Sequence, residues 1–143
     1  MKNHLTKTSL RILVLASAVV LGGAGCATLE TLPPELAQVR FELADSPVVR
    51  VSKAWVERDA GRLVLRGHVL RQSGASDTTP THLDISLLDA GGHTVREMRE
   101  YFEPRQIPRR RRMPDAAHFR IELEPLPPGV ASIRVAAHEG AHP

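Results

Sequence analysis

Aromatic side chains are scarce in this chain. Phe, Trp and Tyr together make up 3% of its 143 residues, with one Trp and one Tyr. A hydrophobic core must therefore rest on Val, Leu, Ile and Ala. Cysteine is scarcer still, with a single copy. That excludes an internal disulfide framework and a cysteine-rich zinc site. Eleven prolines and ten glycines argue against long helices. Nor is there a real excess of charge of one sign. The whole chain carries a formal +3, which invites a nucleic-acid reading until the charges are located. Lys2, Lys7 and Arg11 lie in residues 1–25 with no acid beside them; 19 basic residues less these three leaves 16, against 16 acidic. The remainder is formally neutral, so no nucleic-acid partner is expected. What is present is a globular composition, 42% apolar and 24% charged. The length suits one domain.

The N-terminal segment reads as an export address. The three positive residues precede Ile12 to Leu21, an unbroken run of apolar or small residues. This run is roughly half the length of a membrane-spanning helix. Gly22, Gly23, Ala24 and Gly25 follow, which completes the layout of a secretory signal peptide. The next residue is Cys26, the only cysteine. Ala24-Gly25-Cys26 resembles the end of the lipobox of bacterial lipoproteins, although Gly23 stands where that family usually carries Leu. The resemblance implies a diacylglyceryl group on Cys26 and an acyl chain on its new amino terminus, a stable lipid anchor in the membrane. In Gram-negative lipoproteins an aspartate after the cysteine often signals inner-membrane retention. Ala27 in that place implies the outer membrane, with the chain facing the periplasm. The alternative is a plain secreted chain with a free thiol at Cys26.

Beyond the anchor the period becomes two. Residues 26–46 read as the lipidated cysteine and a tether or lead-in, stiffened by Pro33-Pro34. Within it Val39, Phe41 and Leu43 alternate with Arg40 and Glu42 as a first strand, or a short helix follows Pro34. From residue 47 to 139 strands dominate. Val49 and Val51 open one that runs through Trp55. Leu63, Leu65, Gly67 and Val69 share a face, with Arg66 and His68 opposite. Leu83, Ile85 and Leu87 share another, with His82, Asp84 and Ser86 opposite. Phe119, Ile121 and Leu123 alternate with His118, Arg120 and Glu122, and Ile133, Val135 and Ala137 close the series. Asp59-Ala60-Gly61 and Asp89-Ala90-Gly91-Gly92 read as turns. Residues 140–143 are a tail. The expectation is an all-β chain, a two-sheet antiparallel sandwich of six to seven strands.

Two stretches sharpen that class. Asp84-Ile85-Ser86-Leu87-Leu88-Asp89-Ala90-Gly91-Gly92 resembles the strand and turn of periplasmic FxLYD-type Ig-like domains. Leu126-Pro127-Pro128-Gly129, followed by Ile133 and Val135, resembles the late corner of fibronectin type III domains, without its tyrosine. The resemblance implies an Ig-like sandwich and no catalytic residue.

His82-x-Asp84 places two candidate metal ligands on one strand face, and neighbouring strands would add His68 or His118 in a suitable register. Met98 and Met113 are soft enough for Cu(I). The competing reading makes these solvated polar residues on outer faces, and no HxxH or HExxH spacing favours metal. There is no GxSxG elbow and no phosphate-binding glycine loop. Glu97, Glu100 and Glu103 interleave with Arg96, Arg99 and Arg105 as a charged exposed segment. The most pointed feature is Arg109-Arg110-Arg111-Arg112 with Arg105 nearby, in a stretch bounded by Pro104 and Pro114. Four adjacent guanidinium groups repel one another, so an exposed loop is expected. Guanidinium forks suit phosphate and carboxylate oxygens, so these five arginines either recognise an anionic envelope component or are neutralised by nearby acids. The expected function is a non-enzymatic interaction or structural module of the envelope, without a cofactor. Its partners would be the membrane, through the lipid, and an envelope protein or anionic component. The alternative is periplasmic copper handling through His and Met. An enzyme whose residues assemble only in three dimensions would show itself as a deep polar pocket.

Overall fold

Period-two alternation becomes seven strands in the computed structural model, which describes residues 36–109 and 116–140. They are β1 (Arg40–Ala44), β2 (Val49–Asp59), β3 (Arg62–Arg71), β4 (Thr81–Asp89), β5 (Thr94–Glu100), β6 (Ala116–Glu122) and β7 (Val130–Glu139). Two sheets form, ordered β1-β7-β4-β5 and β2-β3-β6. Their apolar faces meet in one core as a β-sandwich. Leu65, Val69, Leu83, Ile85, Leu87, Ile133 and Val135 are all fully buried there. Each such side chain contributes about 1.5–3 kcal/mol on leaving water, so aliphatic residues suffice where aromatics are few.

The turns explain the pairings. Ala60 and Gly61 both have positive φ, 49° and 82°, in the two-residue turn between β2 and β3. That is the type I′ geometry whose twist matches the flanking strands. Between β4 and β5 the Asp89 carboxylate accepts hydrogen bonds from the backbone of Gly91 (2.8 Å) and His93 (2.9 Å). These bonds hold the Asp89 carboxyl below its usual pKa range, the His93 bond foremost.

One pairing departs from the antiparallel pattern: β1 runs parallel to β7, with Arg40 opposite Ser132 and Ala44 opposite Ala136. A short corner then carries the chain to the other sheet. There the Ser46 hydroxyl accepts from the backbone of Val48 and Val49, and Asp45 accepts from that of Val51. Leu36, just before β1, is 6% exposed and joins the core. The sandwich therefore takes in the end of the lead-in segment, as a turn and a strand rather than a helix.

Of the interleaved acids and arginines after the second turn, Arg96, Glu97, Arg99 and Glu100 form edge strand β5, not merely a charged surface run, while Glu103 and Arg105 lie in the connector that follows. Charge along an edge discourages pairing with another chain. Arg96 reaches from it to the carbonyls of Leu123 (3.4 Å) and Pro125 (2.9 Å).

The basic connector after β5 is also not wholly a solvated loop. Phe102 and Ile107 are 1% and 0% exposed. The Thr78 hydroxyl donates to the Arg105 carbonyl (2.6 Å) and accepts from the Ile107 backbone (2.9 Å), and Gln106 binds Thr78 and Ser76. Two apolar anchors and a buried threonine convert residues 101–107 into a strap across the end of the sandwich.

Candidate functional site

Strict alternation from Val51 would point Trp55 into the core. The chain prevents this with a register shift between Val51 and Lys53. The extra residue, Ser52, is a bulge that reverses the phase of the strand, and its hydroxyl donates to the His68 carbonyl (3.2 Å). Val56 thereby enters the core, and Trp55 turns outward beside Arg66. Across the same outer face Lys53 is opposite His68, and His68 is opposite His118. Trp55 and His68 have ring centroids 5.4 Å apart, and His68 and His118 6.2 Å.

The strap extends this row past the last strand. Glu103 donates its backbone N–H to the His118 carbonyl (2.7 Å) and accepts from the His118 N–H (2.9 Å). The bridge fixes Glu103 and Tyr101 at the free side of β6. The result is a groove of about 660 Å³ lined chiefly by Trp55, His68, Tyr101, Glu103, His118 and Arg120. Tyr101 is 50% exposed. The Trp55 indole donates to Glu57 (3.0 Å), and the Lys53 ammonium lies 5.1 Å from its ring. The Arg105 guanidinium sits 3.9 Å from the Tyr101 centroid, a cation–π contact.

Ion pairs brace one end. Arg66 meets Glu57 (2.5 Å) and Asp59 (2.8 Å), and Arg120 meets Asp59 (3.0 Å). Hydrogen bonding from Arg120 leads the causes that hold the Asp59 carboxyl below its ordinary value of 3.8. The groove thus offers aromatic surface, two imidazoles, fixed guanidinium donors and one carboxylate. None of the residues lining it is a serine, threonine or cysteine among those described.

The expected ligand set divides differently. His68 and His118 face outward together on the three-stranded sheet, as alternation predicts. His82 and Asp84 lie on the other sheet, 3.5 Å apart. The residue joining them is His138, opposite His82 in the β4–β7 register and 3.6 Å from Asp84. His82 itself is 3% exposed, contrary to its expected place on a solvated face. The His138 ring stacks beside it at 6.2 Å and Tyr101 meets it edge-on at 6.5 Å, so strap and neighbouring strand cover it. Among the described residues no group of three or more His, Cys, Asp or Glu is placed to hold a metal ion. Met98 is half-buried and packs against the core.

Of the arginine cluster, Arg105 stacks on Tyr101 and donates to the Thr79 carbonyl. Arg109 is exposed. Arg110, Arg111 and Arg112 lie outside the described residues, as do Met113 and Cys26. Alternation could not reveal Trp55, Tyr101 or Glu103, because a bulge reorients the first and an irregular strap carries the others. The one signal available was compositional: the chain places its single Trp and single Tyr in the same groove. Comparison with protein-family models, with curated proteins and with solved structures gives no match.

Proposed function

We propose that the protein is an exported lipoprotein, anchored through Cys26 in the outer membrane and facing the periplasm, whose sandwich is a non-enzymatic interaction module. The groove on the three-stranded sheet is its recognition surface. The observation that carries this reading is the placement of Trp55 and Tyr101, the chain's only Trp and only Tyr, on one partly exposed groove. Large amphipathic rings left at a surface are the usual anchors of recognition. The signal-like residues 1–25 and Cys26 directly after them support the address.

The strand order supports an Ig-like reading of the fold. Strands β2, β3 and β6 form one sheet in the order of Ig strands A, B and E. In the other, β4 lies between β5 and β7, as C lies beside F, and β1 takes the edge next to β7 where an Ig-like domain has its last strand. Such a domain works as a scaffold for contact surfaces.

The test is photo-crosslinking in intact cells with a photoreactive residue at position 101, alongside one at position 43 on the opposite sheet. Adducts specific to position 101, together with membrane release of the Cys26→Ala chain, are the expected result. No adduct from the groove, or unchanged membrane attachment of Cys26→Ala, overturns the corresponding half of the proposal.

A further inference from the structure

The groove's chemistry narrows what it takes. Its floor crosses three strand spacings, from Trp55 on β2 to the strap beyond β6, about 14 Å at the usual distance between paired strands. That length accommodates two or three linked rings. Exposed or half-exposed aromatic groups run along it: Trp55, His68, His118 and Tyr101. Between them stand donors and an acceptor held in place by the fold. The Arg66 and Arg120 guanidinium groups are pinned by Asp59, and Glu103 is fixed by its bridge to His118.

Charge placement disfavours one large class of ligand. The lining guanidinium groups Arg66 and Arg120 are already paired with Glu57 and Asp59, and the two further cations, Lys53 and Arg105, lie over the Trp55 and Tyr101 rings instead of forming a continuous track. A polyanion would find no free cationic track among the described lining residues. Depth excludes another: a wholly apolar ligand would leave Glu103, His118 and Arg120 uncovered or desolvated, at a cost. The fitting ligand has flat faces of C–H bonds and a rim of hydroxyls. A pyranose ring has both. Its axial C–H groups, slightly positive, lie against the negative face of an aromatic ring, while its hydroxyls reach carboxylate, imidazole and guanidinium partners.

From this we propose that the groove binds a glycan chain of uncharged hexopyranose units along the row from Trp55 to Tyr101. The inference rests on the reading of the protein as an exported recognition module, since polysaccharide is then the material around it. Trp55 stacks one ring, Tyr101 a second, and Glu103 and His118 accept and donate to hydroxyls between them.

The single Trp makes the test direct, because all tryptophan emission reports on the groove. Full-length chain in a sugar-free detergent is titrated with chitotetraose, cellotetraose and soluble peptidoglycan fragments. The expected result is a saturable change in Trp emission, with Kd between about 10 μM and 1 mM. Chitotetraose alone and the fragments together point to an N-acetylhexosamine polymer; cellotetraose alone points to a plain glucan; either supports the proposal. Because Trp55 is half-buried, the decisive variants are Tyr101→Ala and His118→Ala, both at exposed positions. Each should retain a cooperative melting transition and weaken binding by about tenfold, the equivalent of one stacking or hydrogen-bonding contact. Unchanged emission with every glycan overturns the glycan proposal. If position 101 still crosslinks to a protein, the module reading survives that failure; if it crosslinks to nothing, both fall.

Discussion

The outer face of the β2-β3-β6 sheet has two halves of opposite character. Toward the β2–β3 hairpin, charge answers charge. Asp59 holds Arg66 and Arg120, Glu57 holds Arg66, and Glu122 holds Arg62. The cover is close enough that Val64, outward in the register between Glu57 and Glu122, is 0% exposed. Toward the strap, rings replace ion pairs, and Tyr101 stays 50% exposed. The first half neutralises its own charge and offers a ligand only the edge donors of Arg66 and Arg120. The second leaves the chain's rarest side chains partly exposed, with Lys53 over Trp55 and Arg105 over Tyr101. Density of charge is thus a poor guide to the site here, because exposed pairs mostly neutralise each other and add little stability.

The sharpest way to break this contrast is to loosen the ring half alone. Phe102 is 1% exposed and anchors the strap that carries Tyr101 and Glu103. Phe102→Ala should cost about 3–5 kcal/mol, the usual price of removing a buried phenyl group. Urea unfolding measures the loss. Native-state hydrogen exchange localises it: the amides of Glu103 and His118, which bond each other's carbonyls, should exchange faster by a larger factor than that of Arg62 at the hairpin. Equal acceleration at both places would mean that the two halves are one cooperative unit.

The charged half is tested by pH. Asp59 has its folded pKa lowered, first through the Arg120 hydrogen bond. A depressed carboxyl stabilises the fold above its unfolded pKa, and that contribution disappears as pH falls through the folded value. Asp59→Asn should therefore lower Tm modestly at pH 7, with the gap to wild type closing below pH 4, near and under the ordinary value of 3.8. Wild type and variant alike keep an acid-dependent loss from Asp77 and Asp89, whose carboxyls are also held low by backbone hydrogen bonds, from Thr79 and His93 respectively. Groove binding should be unaffected by Asp59→Asn only if Arg66 and Arg120 keep their places through Glu57 and Glu122.

The two halves also differ in how far the sequence foretells them. Alternation alone places His68, Arg120 and Glu122 outward and Leu65, Phe119 and Ile121 inward, and the turn at Asp59-Ala60-Gly61 pairs β2 with β3. Arg66, Arg120 and Glu122 of the charged half are thus readable from local pattern, whereas Glu57 and Asp59 lie beyond the Ser52 bulge and take its reversed phase. Of the ring half only His68 and His118 are. The Ser52 bulge inverts Trp55, an event that depends on the partner strand. Tyr101 and Glu103 reach the groove only because Phe102 and Ile107 bury themselves between the sheets and Thr78, from a distant connector, ties the strap down. His82 is hidden by the same strap and by the β4–β7 register. Long-range contacts decide each of these, and period-two reasoning carries no information on them.

The smallest effect lies at the hairpin beyond the charged half. Ala60 has φ of 49° in a turn where Asn or Gly is the ordinary occupant. A Cβ in the left-handed region costs roughly 1–2 kcal/mol, partly offset for glycine by the greater freedom of its unfolded chain. Ala60→Gly should therefore stabilise the protein by about 0.5–1 kcal/mol, and Ala60→Asn by a similar amount. The measured quantity is the urea midpoint at constant slope. The turn is exposed and next to Asp59, so the same variants should leave glycan titration of Trp55 unchanged. A variant that stabilises the hairpin yet alters Trp55 emission would show that the hairpin governs the groove, and the division into a self-satisfied half and an open half would fail.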